Sequence, residues 1–484
     1  MNLPKSGSGL ARPDIAVNPT LILAVLAFSS FCASLMQSLV IPIQQDLHIY
    51  LNTSQGNASW VITATLLGGA VAMPVAGRLA DMYGKKPILV ASSVILLAGS
   101  LLCALSSSLI PVLIGRALQG VAMGYIPVAM SFVREVVPPK MSTTAVAVIS
   151  ATLGVGGALG LPLAAWIAES GDWHALFWVA TALAAVMVVT SIVLLPHVRD
   201  AIEAKLDWIG ALGLAAGLVA FLIGISKGHD WEWTSGSTLG CIFGGLVILL
   251  IWGWYQLRAS DPLVDLRTTA NRPVLMTNLA AVLIGFGMMA QAIVVPQLLQ
   301  MPKETGYGMA QSMLAAGLWM APGGLMMMFF APVSAKLIGT IGGRKTLTIG
   351  ALVVAVGYVM AVFMIDEPWK ILIATCVGSA GVGIGYSAMP TLIMQNVPAS
   401  EAGAAVGLNG LMRSIGTTTS SAVMAVLLTS STIVGTAIPT LGAYKLCFWV
   451  GAAAAVVGAV FAFAAYPSKK ISPAELQEVA AGTA

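Results

Sequence analysis

The sequence predicts an all-α integral membrane protein with about 14 transmembrane helices. Of its 484 residues, 58% are apolar and 9% are charged, whereas a soluble domain carries about 25% charged residues. A water-exposed surface for a chain of this size cannot be built from so little polar material. The apolar residues form continuous runs without the period-two alternation of a membrane β-barrel, so the spans are expected to be helical.

Fourteen apolar runs have the length of about 20 residues that crosses the hydrocarbon core of a bilayer. Each run ends where charged or turn-forming residues interrupt it. The runs cover 20–42, 59–80, 88–107, 109–133, 143–168, 175–195, 207–225, 237–257, 274–299, 309–332, 346–365, 370–395, 403–430 and 444–466. The loops between them are short, which leaves no room for a large extramembrane domain.

The basic residues indicate the orientation, because short cytoplasmic loops are enriched in Lys and Arg. With the N-terminus inside, 17 of the 23 basic residues fall in cytoplasmic segments and 4 fall in outer loops. The outer four are Lys227, Lys303, Lys370 and Lys445. The remaining two, Arg116 and Arg413, lie within spans. An even number of spans then predicts a multi-pass protein of the cell membrane with both termini in the cytoplasm.

Missing motifs exclude several function classes. The chain has no G-x-x-x-x-G-K-[ST] run for nucleotide phosphates, so an ATP-driven pump is not expected. No span contains a catalytic constellation, and no His/Cys cluster has metal-ligand spacing. The net charge of +4 is spread over short loops without a basic stripe, which argues against a nucleic-acid partner. We therefore expect no enzyme activity, catalytic residue, metal or cofactor.

A ten-residue segment recurs in weaker form in the second half of the chain. Residues 77–86 (GRLADMYGKK) follow the second span, and residues 335–344 (AKLIGTIGGR) follow the tenth, 258 residues later. Both end a span on the same side, with glycine and basic residues in register. The repeat predicts two related six-helix bundles, spans 1–6 and 9–14, with spans 7 and 8 inserted between them.

The expected domains follow the chain order. They are a cytoplasmic tail at 1–19, an N-terminal six-helix bundle at 20–199, a linker with two extra spans at 200–262, a C-terminal six-helix bundle at 263–466 and a cytoplasmic tail at 467–484. Duplicated bundles are typical of transporters that rock around a central site.

The sequence resembles the major facilitator superfamily and, within it, the fourteen-span drug:proton antiporters. The most specific segment is the loop motif G-x-L-A-D-x-x-G-[RK]-[RK], which residues 77–86 match. The fourth span matches the family's R-x-x-Q-G-x-x-x-G pattern at Arg116, Gln119, Gly120 and Gly124. The resemblance covers about residues 20–466 and implies a transporter that works by alternating access.

The fifth span resembles the family's glycine-proline antiporter motif at Gly156, Gly160 and Pro162, although Leu161 separates the last two. In the first span, Ala33 stands where related antiporters carry an aspartate. All 19 acidic residues can be placed in loops, termini or span ends. A carboxylate at mid-depth, which is the simplest proton carrier, is therefore not expected here.

The loop motif implies a latch between the two bundles. Its members are Gly77, Arg78, Asp81, Gly84, Lys85 and Lys86. In the family, the aspartate faces the N-terminus of a helix in the opposite bundle, which here is span 13, opening near Glu401. The resemblance implies that Asp81 accepts bonds there from the N-terminus of the facing helix and from a neighbouring cation, and that this contact holds the cytoplasmic side shut. The alternative is a topology-setting turn with solvated charges.

Arg116 lies about eight residues inside the fourth span, where a guanidinium costs several kcal/mol unless it faces a cavity or a partner. Gln37 and Gln119 are polar candidates at similar depth. We expect these residues to handle substrate or protons in the transport cavity. The alternative for Arg116 is a structural arginine bonded to backbone carbonyls. Arg413 in span 13 is either a second cavity residue or extends to the inner interface.

Gln291 and Trp319 lie among the methionines of spans 9 and 10. Flexible thioethers suit a pocket that accepts varied apolar ligands, so we expect both residues to line the transport cavity. The alternative for most of the methionines is contact with lipid or with other helices.

The residues and the resemblance predict a monomeric secondary transporter. It is expected to export amphiphilic or hydrophobic small molecules, as in multidrug efflux and antibiotic resistance, by proton antiport. Two alternatives stay open: a dedicated metabolite or lipid transporter without proton antiport, and a membrane receptor that keeps the fold but does not transport. The expected partners are the small-molecule substrate, protons and the lipid bilayer.

Overall fold

The computed structural model describes residues 18–41, 43, 46–169, 172–198, 206–228, 230–433, 436 and 438–465. Within them, fourteen helices are long and apolar enough to cross a membrane, which confirms the predicted fold class. In chain order they are α1 Pro19–Ser38, α2 Trp60–Tyr83, α3 Lys85–Ala104, α4 Leu109–Val136, α5 Pro139–Glu169, α6 His174–Leu194, α7 Trp208–Lys227, α8 Gly236–Gln256, α9 Arg272–Gln300, α10 Met313–Ile341, α11 Gly343–Phe363, α12 Pro368–Gln395, α13 Ala402–Ser430 and α14 Leu441–Ala464. The predicted tails, apart from residues 18 and 19, lie outside the described residues.

Several helices begin at polar capping side chains. Asn18 accepts a hydrogen bond from the amide of Thr20 and precedes Pro19, which is suited to the first helical turn. Ser312 caps α10 and Thr440 caps α14 in the same way. These short polar residues favour a helix start because their side chains accept hydrogen bonds from amides that have no partner within the helix.

The tenth span is longer than predicted. We expected it to end at 332, but α10 continues through Pro332 to Ile341. Lys336 lies on this extension and is exposed, so its charge reaches solvent without ending the helix. The helix therefore extends beyond the apolar run from which its limits were predicted.

The turns after α2 and α10 share one backbone geometry. Gly84 has φ 92° and ψ 151°, and Gly342 has φ 85° and ψ 156°. Positive φ favours glycine, which has no Cβ to clash with the backbone. The two glycines are 258 residues apart, so the repeat seen in the sequence is also present in the backbone.

Helices α1–α6 and α9–α14 form two bundles, each with its own apolar core. The two most extensive contacts between the bundles are α2 against α13 and α5 against α10, which we call the α2–α13 seam and the α5–α10 seam. Glycine permits close approach at both. At the first, a Cβ on Gly77 would clash with the Gly403 backbone; at the second, one on Gly154 would clash with Met327.

The inserted pair α7 and α8 lies against the α2–α13 seam. The buried apolar cluster there combines Ala70 of α2, Leu218 of α7 and Leu408 of α13. Thr63 of α2 and Ser226 of α7 are joined by a hydrogen bond of 3.2 Å. The inserted pair therefore contacts both bundles at this seam.

Candidate functional site

Asp81 joins the two bundles at one end of the α2–α13 seam. Its side chain is 2% exposed. The two carboxylate oxygens accept hydrogen bonds from the amides of Gly403, at 3.3 Å, and Ala404, at 3.0 Å. These amides belong to the first turn of α13, where helix amides lack internal partners and the helix dipole favours a negative charge. We call this end of the molecule the Asp81 end.

The motif's basic residues make separate contacts. Lys85 lies 3.8 Å from Asp81 and also pairs with Glu135 of α4. Lys86 donates a 2.6 Å hydrogen bond to the Leu195 carbonyl. Arg78 lines a cavity of about 260 Å³ together with Asp265 and Glu401. Lys85 thus places a cation paired with carboxylates beside the contact between α2 and α13.

Arg116 is buried, at 1% exposure, among three helices of the N-terminal bundle. Its Nε donates to the Val61 carbonyl at 3.3 Å, and its Nη1 donates to the Met36 carbonyl at 2.9 Å and to Gln119 Oε1 at 2.7 Å. This is the carbonyl-bonded arrangement that the sequence left as an alternative. Gln119 in turn donates to Ser100 Oγ at 2.9 Å, so the network reaches α3.

Gln37 is not among the hydrogen-bond partners that the described residues provide for Arg116. The backbone carbonyl of the preceding residue, Met36, takes that place. Gln37 stays a predicted residue of the transport cavity.

Arg413 is buried in the C-terminal bundle, at 6% exposure, and so does not extend to the interface. Its guanidinium carbon lies 4.9 Å from the centre of the Tyr386 ring of α12. Its Nη1 atom has no hydrogen-bond partner in the part of the chain that the structure describes. No carboxylate among these residues pairs with it or with Arg116.

Gln291 and Trp319 are half-buried in the C-terminal bundle. Gln291 Nε2 donates to the Thr375 carbonyl at 3.3 Å and to Ser379 Oγ at 3.1 Å. Trp319 Nε1 donates to Gln311 Oε1 at 3.1 Å. The structure therefore does not gather the predicted cavity residues into one cluster, since the contacts of Arg116 lie in one bundle and those of Gln291, Trp319 and Arg413 in the other.

The glycine-proline segment of α5 packs against two different helices. A Cβ on Gly156 or Gly160 would clash with the Ser34 or Ser38 side chain of α1. Ser38 Oγ also donates to the Gly156 carbonyl at 3.0 Å. Pro162 instead lies against Gly317 of α10, in the opposite bundle. The segment thus connects the N-terminal bundle to the α5–α10 seam.

Two buried asparagines beside Arg413 were missed by the sequence reasoning. Asn409 of α13 donates to Asn278 Oδ1 of α9 at 2.9 Å. The other amide atoms, Asn278 Nδ2 and Asn409 Oδ1, have no partner among the described residues. The available signal was the presence of a neutral amide inside an apolar run, which is costly to bury unless it is bonded.

The family model for the Major Facilitator Superfamily matches residues 26–421. The chain belongs to this superfamily, whose members are transporters of small molecules across membranes. Fourteen spans and two bundles are consistent with that membership.

Curated relatives are about a quarter identical to this chain over the aligned residues. An uncharacterized MFS-type transporter of Mycobacterium tuberculosis is 27% identical over 401 residues, which cover 82% of this chain and 57% of that protein. The chain therefore spans little more than half the length of that relative. A "Multidrug resistance protein B homolog" from the same species is 26% identical over 437 residues, covering 88% of this chain and 79% of the relative.

Solved structures share the fold at low sequence identity. The human organic anion transporter MFSD10 superposes with a TM-score of 0.66 at 15% identity, covering 92% of this chain and 99% of the other. The proton:xylose symporter XylE gives 0.64 at 14% identity, covering 92% and 94%. At these identities the likeness concerns the fold alone.

Proposed function

We propose that this protein is a secondary transporter that exports amphiphilic or hydrophobic small molecules by alternating access. The observation that carries the proposal is the contact of Asp81 with the first turn of α13 in the opposite bundle. A carboxylate on backbone amides is a strong contact that can break and re-form without chemistry. It closes the Asp81 end, and rocking of the bundles opens that end.

The multidrug character and the direction of transport rest on weaker support. Curated relatives named for multidrug resistance are about a quarter identical to this chain. The positive-inside distribution of Lys and Arg favours cytoplasmic termini and hence a cytoplasmic Asp81 end. In this orientation, breaking the Asp81 contact admits substrate from the cytoplasm, and its re-formation precedes release outside.

Replacement of Asp81 by Asn tests the latch. Hydrogen bonds to a charged group contribute about 1.5–3 kcal/mol, so loss of the charge shifts the conformational equilibrium by about 10- to 100-fold toward the state open at the Asp81 end. Val406 on α13 is 1% exposed, and a V406C variant reports the opening by maleimide labelling. We expect faster labelling and slower substrate flux in proteoliposomes.

The exposed Asp366 provides the control, because D366N removes the same charge at a loop where the bundles do not meet. Labelling and flux should match those of the parent protein. If Asp81→Asn behaves like Asp366→Asn in both assays, the Asp81 contact does not control opening and the latch is rejected.

Proton coupling is part of the proposal, although the described spans carry no carboxylate at mid-depth. The acids in the described region lie at helix ends or in loops, as Glu135 near the end of α4 and Glu401 before α13 illustrate. Inverted membrane vesicles test the coupling directly. A protonophore that collapses the proton gradient should stop uptake of an amphiphilic dye, and uptake that persists would assign facilitated or differently coupled transport.

A further inference from the structure

The C-terminal bundle contains a buried cation that no carboxylate among the described residues neutralises. Arg413 is the twelfth residue of the 29-residue α13, about 16 Å from the helix start. Three unpartnered polar atoms occur in this region: Arg413 Nη1, Asn278 Nδ2 and Asn409 Oδ1. Buried polar atoms are normally bonded, and a buried charge is normally paired. These atoms are therefore available to bond with a ligand.

The two unpartnered nitrogens, Arg413 Nη1 and Asn278 Nδ2, belong to α13 and α9, which pack against each other. Side chains in a helix lean toward its N-terminus, so the guanidinium of Arg413 leans toward the turn that holds Asn409. A Cβ on Gly410 in that turn would lie 3.6 Å from Arg413 Nη2. Asn409 is bonded to Asn278, which brings the α9 amide to the same level. Both nitrogens are donors, whereas Asn409 Oδ1 is an acceptor that a water molecule can satisfy.

The cluster lies beside the surface that alternating access opens. The same Cβ on Gly410 would lie 2.6 Å from Met73 Sδ of α2, so the guanidinium and the α2–α13 seam are neighbours. Ser414, which follows Arg413 on α13, also contacts Met73 Sδ, at 4.0 Å. Separation of α2 from α13 therefore uncovers the α13 surface next to Arg413.

We propose that Arg413 and Asn278 bind the anionic group of the transported molecule, so that the substrates include amphiphilic organic anions with a carboxylate or similar oxyanion. Two donors, one of them charged, suit a carboxylate, and the Tyr386 ring stacks on the guanidinium and orients it. The apolar helices around the cluster suit the rest of an amphiphilic molecule. This inference deepens the proposed transport function and rests on it.

Three naphthyl compounds that share one apolar body test the proposal: 2-naphthoxyacetate, the neutral 2-naphthoxyethanol and the corresponding trimethylammonium cation. Binding of each radiolabelled compound is measured on the full chain in lipid nanodiscs, first without chloride and then with chloride added. We expect the carboxylate to bind at least about tenfold more tightly than the neutral compound, since it gains a charged hydrogen bond. Equal binding of the three compounds, or binding of chloride in place of the carboxylate, would overturn the proposal.

Two variants assign the binding to this cluster. Arg413→Met removes the cation, and Asn278→Asp places a carboxylate of the same shape beside Arg413 as an internal competitor. Each should weaken naphthoxyacetate binding by about 10- to 100-fold and leave binding of the neutral compound unchanged. Arg258, exposed and stacked on Trp254 at the end of α8, provides the control, and Arg258→Met should bind like the parent. Unchanged binding by Asn278→Asp overturns the proposal even if Arg413→Met fails to fold.

Flux in proteoliposomes separates this inference from the proposed function. Transport of the neutral or cationic compound without the carboxylate would refute the anion site and leave the transporter intact. Tight carboxylate binding that depends on Arg413, with no flux of any compound, would support the site and refute transport. Carboxylate flux that Asn278→Asp abolishes is the result expected from both.

Discussion

The two buried arginines, one in each bundle, differ in the contacts that stabilise their buried charge. Arg116 donates to two backbone carbonyls and to Gln119, across three helices. Arg413 lies over the Tyr386 ring, and its Nη1 has no partner among the described residues. A buried charge destabilises a fold unless it is bonded. The comparison therefore assigns a helix-joining role to Arg116 in this conformation and leaves Arg413 available for a ligand.

Removal of Arg116 should have the largest effect on stability. Arg116→Met removes the guanidinium donor from the Met36 carbonyl and Gln119 Oε1, while the Val61 carbonyl keeps the Thr65 hydroxyl as a donor. We expect the free energy of unfolding to fall by about 3 kcal/mol. Arg116→Lys should recover part of it, because an ammonium keeps the charge but loses the fork of donors. The melting temperature of the detergent-purified protein, followed by tryptophan fluorescence, measures both changes.

The alternative expectation for Arg116, a direct role in the transport cavity, gives another result. A variant that keeps its melting temperature but loses flux would show that Arg116 acts on substrate or protons. Arg258→Met is again the matched control, because Arg258 is exposed and should change neither quantity.

Removal of Arg413 should change stability in the opposite direction. Arg413→Met replaces an unneutralised buried cation by an apolar side chain of similar length, and we expect the free energy of unfolding to rise by about 1 kcal/mol. The same variant loses the proposed anion site, so stability should rise while anion binding weakens. A melting temperature that falls as far as that of Arg116→Met would show that Arg413 is bonded as well as Arg116 is, and would remove the contrast between the bundles.

The sequence allowed the fold to be predicted almost completely, because apolar length and the distribution of charges carry the information. The fourteen spans are confirmed, with errors mainly at the ends, such as α10 continuing to Ile341. Helix ends depend on local capping and on where exposed charges reach solvent, which an apolar run does not specify. The repeat in the sequence has glycine at both Gly84 and Gly342. Glycine is the residue that tolerates positive φ, and both positions have the same positive-φ backbone geometry.

The candidate site was less accessible to prediction from the sequence. Arg116, Arg413 and Asp81 stand out because a charge in or beside an apolar run needs an explanation. Asn278 and Asn409 lie 131 residues apart in the chain and join α9 to α13. No periodic pattern in the sequence indicates that contact. One partner of Arg116 is a backbone carbonyl of α1. Every residue of that helix offers a carbonyl, so the choice of Met36 depends on helix packing alone.

The smallest expected effect concerns Tyr386, whose ring contacts the guanidinium of Arg413. A cation–π contact is worth about 0.5–2 kcal/mol. Tyr386→Phe keeps the ring and should leave the melting temperature nearly unchanged, whereas Tyr386→Leu should lower the free energy of unfolding by about 1 kcal/mol beyond the effect of Phe. In the Arg413→Met background this difference should shrink, because the cation is gone, and the double-mutant cycle isolates the contact energy. If the Phe-to-Leu difference in the free energy of unfolding has the same size in both backgrounds, the ring contributes only packing. The ring then does not offset the cost of burying the Arg413 charge.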